Sequence, residues 1–296
     1  MKRKVDGVLL LDKPAGITSN LALQKVRRLY RAEKGGHTGT LDPFATGLLP
    51  ICLGEATKFS QYLLDADKVY LAEVRLGIRT ATADPEGDIL ETRPVHVDES
   101  QVREVVPRFT GELSQLPPMY SALKHAGKPL YKYAREGVEI PREPRRVMVH
   151  AIDMLGIHDG VLRLRVHSGK GLYVRTLAEE IGAALGCGAH LQALRREAVG
   201  GLNIADAVGL DRLAAMEEAE RDARLRPADS LLNKLPVLPL DIDAAWQLCH
   251  GQPIWRAGLK VGETLRAYAP DGRFLGVVQV DDEGRAAPRR LVAERP

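Results

Sequence analysis

The sequence has few cysteines and no paired pattern of metal ligands. Its three cysteines, Cys52, Cys187 and Cys249, lie far apart along 296 residues, so neither a disulfide framework nor a zinc site is indicated. The eight histidines form no His-x-x-x-His pattern, and the cysteines form no Cys-x-x-Cys pattern. We therefore expect no resident metal.

Long apolar runs and a strong net charge are also missing. The apolar run at residues 8–11 stops at Asp12, which is too short for a signal peptide or a membrane span. We therefore expect a cytoplasmic protein that does not enter a membrane. The net charge of +3 and the pI near 8.7 are compatible with a nucleic-acid partner but do not decide the question.

The length and composition are those of a folded protein with more than one core. Hydrophobic residues make up 45% and charged residues 27% of a chain that is longer than one compact core usually holds. Charge density rises after Glu217, and Pro227 and Pro236 bracket a predicted linker. We expect a large domain over residues 1–234 and a small β-rich domain over residues 235–296.

The hydrophobic patterns mix helices and strands irregularly, which favours an α+β fold over a strict βαβ series. Helices are predicted from a cap at 18–20 to about 30, and over 56–64, 98–107, 129–136 and 173–185. Strands are predicted over 7–11, 68–76, 147–157 and 161–167, and on both sides of the Asp271-Gly272 turn within 265–280.

A glycine-rich segment, residues 36–47, fits neither period and is predicted to be a loop. Asp42 lies within it, directly before Pro43. Taken alone, an aspartate before proline in such a loop is typical of a turn. A carboxylate that carries out chemistry is the alternative, because functional residues are often found on loops.

The string Gly36-His-Thr-Gly-Thr-Leu-Asp-Pro-Phe-Ala-Thr-Gly-Leu-Leu-Pro50 resembles the signature loop of the TruB family of tRNA pseudouridine-55 synthases. Further segments resemble that family in the same order, at residues 11–19, 118–124, 171–176 and 186–196. The resemblance covers nearly the whole chain. It implies the pseudouridine synthase fold, with a central mixed, mainly antiparallel sheet flanked by helices and a small PUA-like C-terminal domain.

The resemblance also implies an activity, the isomerisation of uridine 55 in the T-loop of tRNA. The base must leave its stack before the N-glycosidic bond is cleaved and the ring is reattached through carbon. Every atom of the substrate is conserved, so we expect no cofactor. In the family the aspartate that matches Asp42 is catalytic; the sequence leaves open whether it attacks the sugar, attacks the base or removes a sugar proton.

Four further residues match the family's active site. Arg175 matches the arginine that pairs with the catalytic aspartate, although its position in the helix also suits a solvated arginine. Tyr70 matches a tyrosine that stacks on the target uracil and can act as a base, although the pattern alone equally predicts a core tyrosine. Tyr173 and Leu194 match residues that line the uracil pocket.

Other matching residues are predicted to hold the RNA. His37 matches a residue that enters the T-loop, and Lys13 matches an N-terminal Lys-Pro element that supports the substrate site. An insertion at about residues 120–146 is predicted to clasp the tRNA T-arm through interleaved basic and aromatic residues. We assign substrate contacts there to Lys124, Arg142, Arg145 and Arg146.

Three alternatives remain open. A tRNA-binding factor without catalysis would not need Asp42, Tyr70 and Arg175 together. A guide-RNA-dependent enzyme would need partner proteins, and the compact C-terminal segment favours a monomer without an obligate protein partner. A hydrolase would need a second carboxylate or base in the loop, and none is present.

Overall fold

The computed structural model describes residues 2–293, so Met1 and residues 294–296, the outer ends of the two predicted domains, lie outside the described residues. Over the described range, no helix combines the length and apolar character that crossing a membrane requires.

The helices are α1 (Ser19–Leu29), α2 (Gln61–Leu64), α3 (Glu99–Val105), α4 (Leu130–Arg135), α5 (Val174–Ala184), α6 (Leu210–Ala215), α7 (Glu218–Asp222) and α8 (Ile242–Cys249). Short 3-10 turns lie at Gly54–Phe59, Val106–Phe109, Ile204–Asp206 and Ala228–Leu232. The strands are β1 (Gly7–Lys13), β2 (Gly35–His37), β3 (Thr46–Leu53), β4 (Lys68–Leu76), β5 (Ile78–Thr80), β6 (Ile89–Thr92), β7 (Gly111–Gln115), β8 (Lys124–His125), β9 (Lys128–Pro129), β10 (Arg145–His158), β11 (Val161–Ser168), β12 (Ala189–Val199), β13 (Leu202–Asn203), β14 (Val208–Gly209), β15 (Val237–Pro239), β16 (Ile254–Trp255), β17 (Thr264–Tyr268), β18 (Phe274–Val280) and β19 (Arg285–Leu291).

One large sheet organises the chain from its first strand to β14. Its main path runs β14-β1-β3-β12-β4-β11-β10-β7, with β2 and β13 attached at its sides. Only the β1–β14 and β3–β12 pairs are parallel; the other pairs are antiparallel. The expected mixed, mainly antiparallel sheet is therefore confirmed.

The main core lies on one face of this sheet. The alternation of β4 places Tyr70, Ala72 and Val74 on the buried face. Helices α1 and α5 cover that face with apolar side chains such as Val26 and Ile181, neither of which is exposed to solvent. The strand β4 thus carries Tyr70 into the protein interior, beneath the loop that holds Asp42.

The C-terminal sheet has the order β15-β17-β18-β19-β16, which confirms the predicted β-rich segment and its turn at Asp271-Gly272. It packs against the first sheet, since Val277 of β18 shares a buried cluster with Val8 and Leu10 of β1. Phe274 also meets Phe59, in the 3-10 turn after β3, edge to face at 5.3 Å between ring centroids. Lys58 donates a hydrogen bond to the carbonyl of Leu291 at 2.9 Å. The boundary at residue 234 stays a prediction.

Most of the predicted elements are confirmed to within a few residues. Thr18 caps α1 by accepting from the amide of Leu21, and Asp98 forms the expected capping box with Gln101 at α3. The helix predicted over 173–185 is α5, and the strands predicted over 68–76 and 161–167 are β4 and β11.

Two expectations were wrong. The predicted loop at 36–47 is a loop only in its middle, because Gly36 and His37 pair with β3 and Thr46 begins that strand. The predicted linker is packed structure, since Leu231 and Leu232 are buried and Arg226 pairs with β1. Proline and charge at the surface of a packed segment gave it the composition of a linker.

Candidate active site

The candidate catalytic loop, residues 38–45, holds Asp42 and connects β2 to β3. Ser19, at the start of α1, binds the backbone of this loop through its hydroxyl group. The Ser19 hydroxyl accepts a hydrogen bond from the amide of Leu41 at 2.8 Å and donates to the carbonyl of the same residue at 3.0 Å. Because Leu41 is buried, Asp42 is fixed by its immediate neighbour.

Lys13 supports the other side of the same loop. Its side chain is fully buried, and its ammonium donates to the carbonyls of Pro14, Ile17 and Pro43 at 2.7–3.2 Å. Burial lowers the pKa of Lys13 to about 8, an effect that the charge of Asp42 partly offsets. We predicted that Lys13 supports the substrate site; these contacts join it to the loop carrying Asp42, and a fully buried ammonium does not reach RNA.

Asp42 and Arg175 form a two-point ion pair. The Arg175 Nε atom lies 3.0 Å from Asp42 Oδ2, and a terminal nitrogen of Arg175 donates to Asp42 Oδ1 at 3.3 Å. The Arg175 side chain is 4% exposed, whereas that of Asp42 is 33% exposed. The carboxylate is thus oriented from the protein side and remains open to a substrate on the other.

The remaining donors of Arg175 are also used. It donates to the Thr82 carbonyl and to the Asp84 carboxylate, both at 3.2 Å, and to the Tyr120 carbonyl at 2.7 Å. These three bonds and the bond to Asp42 Oδ1 engage both terminal nitrogens of the guanidinium, while its Nε atom lies 3.0 Å from Asp42 Oδ2. Arg175 therefore has a single orientation. The solvated-arginine interpretation of this position was wrong.

Burial raises the pKa of Asp42, and the charge of Asp84 raises it further, while Arg175 and Lys13 lower it. The balance leaves the pKa above the ordinary value of an aspartate. A carboxylate of raised basicity that stays oriented is suited to act as a nucleophile or as a proton acceptor.

We expect Asp84→Asn to move the acidic limb of the rate to lower pH. Activity that requires ionised Asp42 is lost as pH falls through its pKa, and removal of the Asp84 charge lowers that pKa. Single-turnover rates measured across acidic pH test this. Asp88→Asn, an exposed carboxylate in the same turn region, is the control and should leave the limb in place. An upward shift in Asp84→Asn would contradict the assignment.

Tyr70 and Leu194 lie on neighbouring strands with their side chains on one face of the sheet. Leu194 on β12 is opposite Ala72 of β4, two pairs along from the Tyr70–Arg196 pair and so on the same face. Both side chains are 8% exposed. Their burial on one face of the sheet suits an apolar contact for a base and also suits the core role that the pattern predicts.

Tyr173 lies directly before α5, two residues from Arg175. Gln115, which is buried at the end of β7, clamps its backbone by accepting from the Tyr173 amide at 2.8 Å and donating to its carbonyl at 3.2 Å. Burial raises the pKa of the Tyr173 phenol, and the charges of Arg175 and Asp42 also act on it. Tyr173 is therefore close enough to Asp42 and Arg175 to interact with their charges.

His37 ends β2 and is half-buried, opposite Ile51 of β3. Burial lowers its pKa, and the positive charge of Arg196 lowers it further. A neutral imidazole at neutral pH follows. Such a ring suits stacking among bases better than contact with a phosphate.

The predicted basic insertion separates into paired and unpaired cations. Lys128, Arg142 and Arg146 pair with Glu136, Glu139 and Glu112, respectively. Arg142 is also largely covered, because its side chain is 16% exposed and donates to the carbonyl of Pro117. Within the part of the chain that the structure describes, the exposed cations Lys124, Lys132 and Arg145 form no ion pair.

Sequence reasoning missed Asp84 and Gln115. Asp84 is buried and accepts from Arg175, from the Thr82 hydroxyl and from the amide of Glu86. Its Asp-Pro-Glu-Gly context resembles an ordinary turn. The one available signal was a second Asp-Pro pair in a chain whose first such pair carries the candidate catalytic residue.

A cluster of possible metal ligands lies away from this site. Asp67 lies directly before β4, His150 on β10 and His167 on β11, and no sequence pattern indicates that these three side chains come together. The Asp67 carboxylate is already engaged, since Lys234 and His150 each lie 3.3 Å from it. Burial alone would raise its pKa, but these two partners lower it. The absence of a resident metal stays a prediction.

Comparison with known proteins agrees with this geometry. Residues 27–174 match the model of the TruB family pseudouridylate synthase N-terminal domain. Residues 175–233 match that of the tRNA pseudouridylate synthase B C-terminal domain, and residues 236–292 that of the pseudouridine synthase II TruB C-terminal domain. The three matches follow one another along nearly the whole chain.

Two similar proteins are both called tRNA pseudouridine synthase B. That of Methylobacillus flagellatus is 52% identical over 294 residues, 99% of this chain and 97% of the relative. That of Burkholderia mallei is 54% identical over 297 residues, with 98% of each covered. A crystal structure of a Cbf5–Nop10–Gar1 complex contains a similar chain, with a TM-score of 0.73, 28% identity, and coverage of 98% of this chain and 84% of that one. The chain belongs to the TruB family of pseudouridine synthases.

Proposed function

We propose that this TruB-family enzyme isomerises uridine 55 in the T-loop of tRNA, with Asp42 as the catalytic residue. The observation that carries the proposal is the Asp42–Arg175 pair, which holds a carboxylate of raised pKa oriented and partly open in the family's signature loop. The relatives' shared name supports tRNA as the substrate.

In the reaction the bond between N1 and the sugar carbon breaks, the uracil turns, and its C5 atom bonds to that same carbon. C5 loses a proton and N1 gains one, so the substrate keeps its mass. Attack on the sugar, attack on the base and removal of a sugar proton each use one ionised carboxylate. Arg175 serves all three routes by keeping Asp42 charged and oriented.

Tyr70 and Leu194 are proposed to contact the flipped uracil, with Tyr173 beside them. Extrusion of the base from its stack costs free energy that stacking on a tyrosine ring recovers in part. His37 is proposed to enter the T-loop, where a neutral imidazole fills space that the flipped base leaves. The position of Tyr70 on the same face as Leu194 supports this arrangement.

The enzyme is proposed to act in the cytoplasm as a monomer without an obligate protein partner. The similar chain in the Cbf5–Nop10–Gar1 structure is part of a complex, whereas the mode proposed here needs no partner protein. Purified protein alone should be active if the stand-alone mode holds.

We expect the unpaired cations of the insertion to determine how steeply RNA affinity falls with salt. Replacing Lys124, Lys132 and Arg145 together by alanine should reduce the slope of log K against log salt by about 2, because each phosphate contact contributes roughly 0.7–0.9. Fluorescence anisotropy with a T-arm hairpin at several salt concentrations measures the slope.

The matched control replaces Lys128, Arg142 and Arg146, whose charges Glu136, Glu139 and Glu112 already offset. This triple variant should change the slope less. An equal change in both variants would remove the distinction between paired and unpaired cations.

The assignment of the tRNA T-loop as substrate is tested by comparing a folded RNA with an unfolded one. A folded T-arm hairpin should be modified at one uridine, whereas an unstructured oligonucleotide with the same loop sequence should react far more slowly, because a folded loop displays its bases. Equal rates on both RNAs would mean that the enzyme responds to linear sequence, and the T-loop proposal would fail.

A further inference from the structure

Arg196 is a buried cation without a carboxylate partner. It lies on β12, is 1% exposed, and among the described residues its side chain forms no ion pair with an aspartate or glutamate. A guanidinium removed from water costs several kcal/mol unless other groups compensate. The groups that accept hydrogen bonds from Arg196 therefore indicate the role of its side chain.

Two of those groups belong to the segments on either side of Asp42. The Arg196 Nε atom donates to the carbonyl of Leu48 at 2.8 Å, and a terminal nitrogen donates to the carbonyl of Gly39 at 3.2 Å. Leu48 lies in β3, and Gly39 is the second residue of the catalytic loop, with a φ of +97°. One guanidinium thus holds the start of the loop and the strand that follows the loop.

The third group is Tyr70. Arg196 is directly opposite Tyr70 across the β4–β12 pair, so both side chains lie on the same face. Burial lowers the pKa of Arg196, whereas a side-chain hydrogen bond with the Tyr70 phenol opposes this. Arg196 in this way contacts both the catalytic loop and Tyr70.

The backbone around Arg196 leaves little freedom for this arrangement to shift. Gly47, at the start of β3, has a φ of +103°, and a Cβ atom there would lie 2.4 Å from the carbonyl oxygen of Arg196. Only glycine permits this approach. The positive charge of Arg196 also acts on its neighbours: it adds to the effect of burial in lowering the pKa values of Lys13 and His37.

We propose that Arg196 is a positioning residue for the isomerisation: its guanidinium fixes the phenol of Tyr70 relative to the Gly39 end of the catalytic loop, and so relative to Asp42. The inference rests on the proposed function, in which Tyr70 and Asp42 contact the reacting nucleotide. Arg196 itself is too deeply buried to touch RNA.

The test is a double-mutant cycle on the single-turnover rate with saturating T-arm hairpin. Arg196→Met should lower the rate by about 100-fold, the size of effect that misplacement of a reacting group produces. The dissociation constant of the hairpin should stay within a few-fold. In the Tyr70→Phe background, Arg196→Met should cost only a few-fold more, because its target is already gone.

Arg195→Met is the matched control. Arg195 is the adjacent residue, points to the other face of β12 and binds Asp12 at 2.8 Å, so the rate should stay near that of the wild type. If thermal melting shows that Arg196→Met is unfolded, Arg196→Lys replaces it. Lysine keeps the charge but cannot reach the Gly39, Leu48 and Tyr70 partners together, and its rate should fall by about ten-fold.

Wild-type rates in Arg196→Met, or in Arg196→Lys where that variant carries the test, would overturn the inference. So would losses that multiply independently in the Arg196→Met and Tyr70→Phe double variant. A wild-type enzyme inactive on the hairpin would instead show that the proposed function itself is wrong.

Discussion

Asp42→Asn is expected to reduce isomerisation by about 1,000-fold or more, as loss of a nucleophile or base does in other enzymes. Asparagine keeps the shape of the side chain and removes only its charge. The buried Arg175 retains the carboxylate of Asp84, so the variant should fold and bind T-arm RNA within a few-fold of the wild type. Single-turnover rates and anisotropy titrations on the same preparation separate the two effects.

A variant that kept a tenth of the wild-type rate would remove Asp42 from the mechanism. Loss of RNA binding in parallel with the rate would point instead to a structural role in the loop. The thermal melting temperature distinguishes this second case, because Leu41 and Ser19 fasten the loop independently of the Asp42 charge.

Replacement of Arg175 should damage stability and catalysis for separable reasons. Arg175→Met leaves Asp84 buried without its cation, and breaking a pair whose side chains are each 4% exposed costs about 3–5 kcal/mol of unfolding free energy. The same change removes the countercharge that lowers the pKa of Asp42, so the rate should fall by at least about 100-fold.

The double variant Arg175→Met, Asp84→Asn separates the two. Removal of the second buried charge should recover most of the unfolding free energy in urea titrations, whereas the rate should stay low because Asp42 still lacks its partner. Arg175→Lys should also stay slow, since an ammonium has three donors for five contacts. A fully active Arg175→Lys would leave only a general positive field as the role of Arg175.

The elements that sequence patterns predicted are those with local signals. Helix α3 has its capping box, β4 has strict alternation, and the C-terminal hairpin has Asp271-Gly272. Strands β3 and β12 were missed. Strand β3 is buried along nearly its whole length, contains Pro50, and so lacks both alternation and an intact donor row. Its existence depends on pairing with β1 and β12, which no local pattern records.

The residues of the candidate site also fall into those that local sequence motifs identified and those that only the structure shows. Asp42 and Arg175 were identified through motifs, and the structure joins them across 133 positions of the sequence. Asp84 offered only a second Asp-Pro pair, and Arg196 lies in a segment that resembles the family but was given no role. Only the tertiary structure shows that both are buried, Asp84 against Arg175 and Arg196 against the loop. For the basic insertion, the sequence shows the cations but not which of them pair with a glutamate, as Lys128, Arg142 and Arg146 do; their contacts with RNA stay a prediction.

Nucleoside analysis of the product tests the central claim most directly. Purified wild-type enzyme is incubated with a T-arm hairpin without other additions, and the digested RNA is examined by chromatography and mass spectrometry beside Asp42→Asn. The account predicts that one loop uridine becomes an isomer of unchanged mass with wild type and that none does with Asp42→Asn. Released free uracil, a nucleoside of altered mass, or equal product from Asp42→Asn would contradict it.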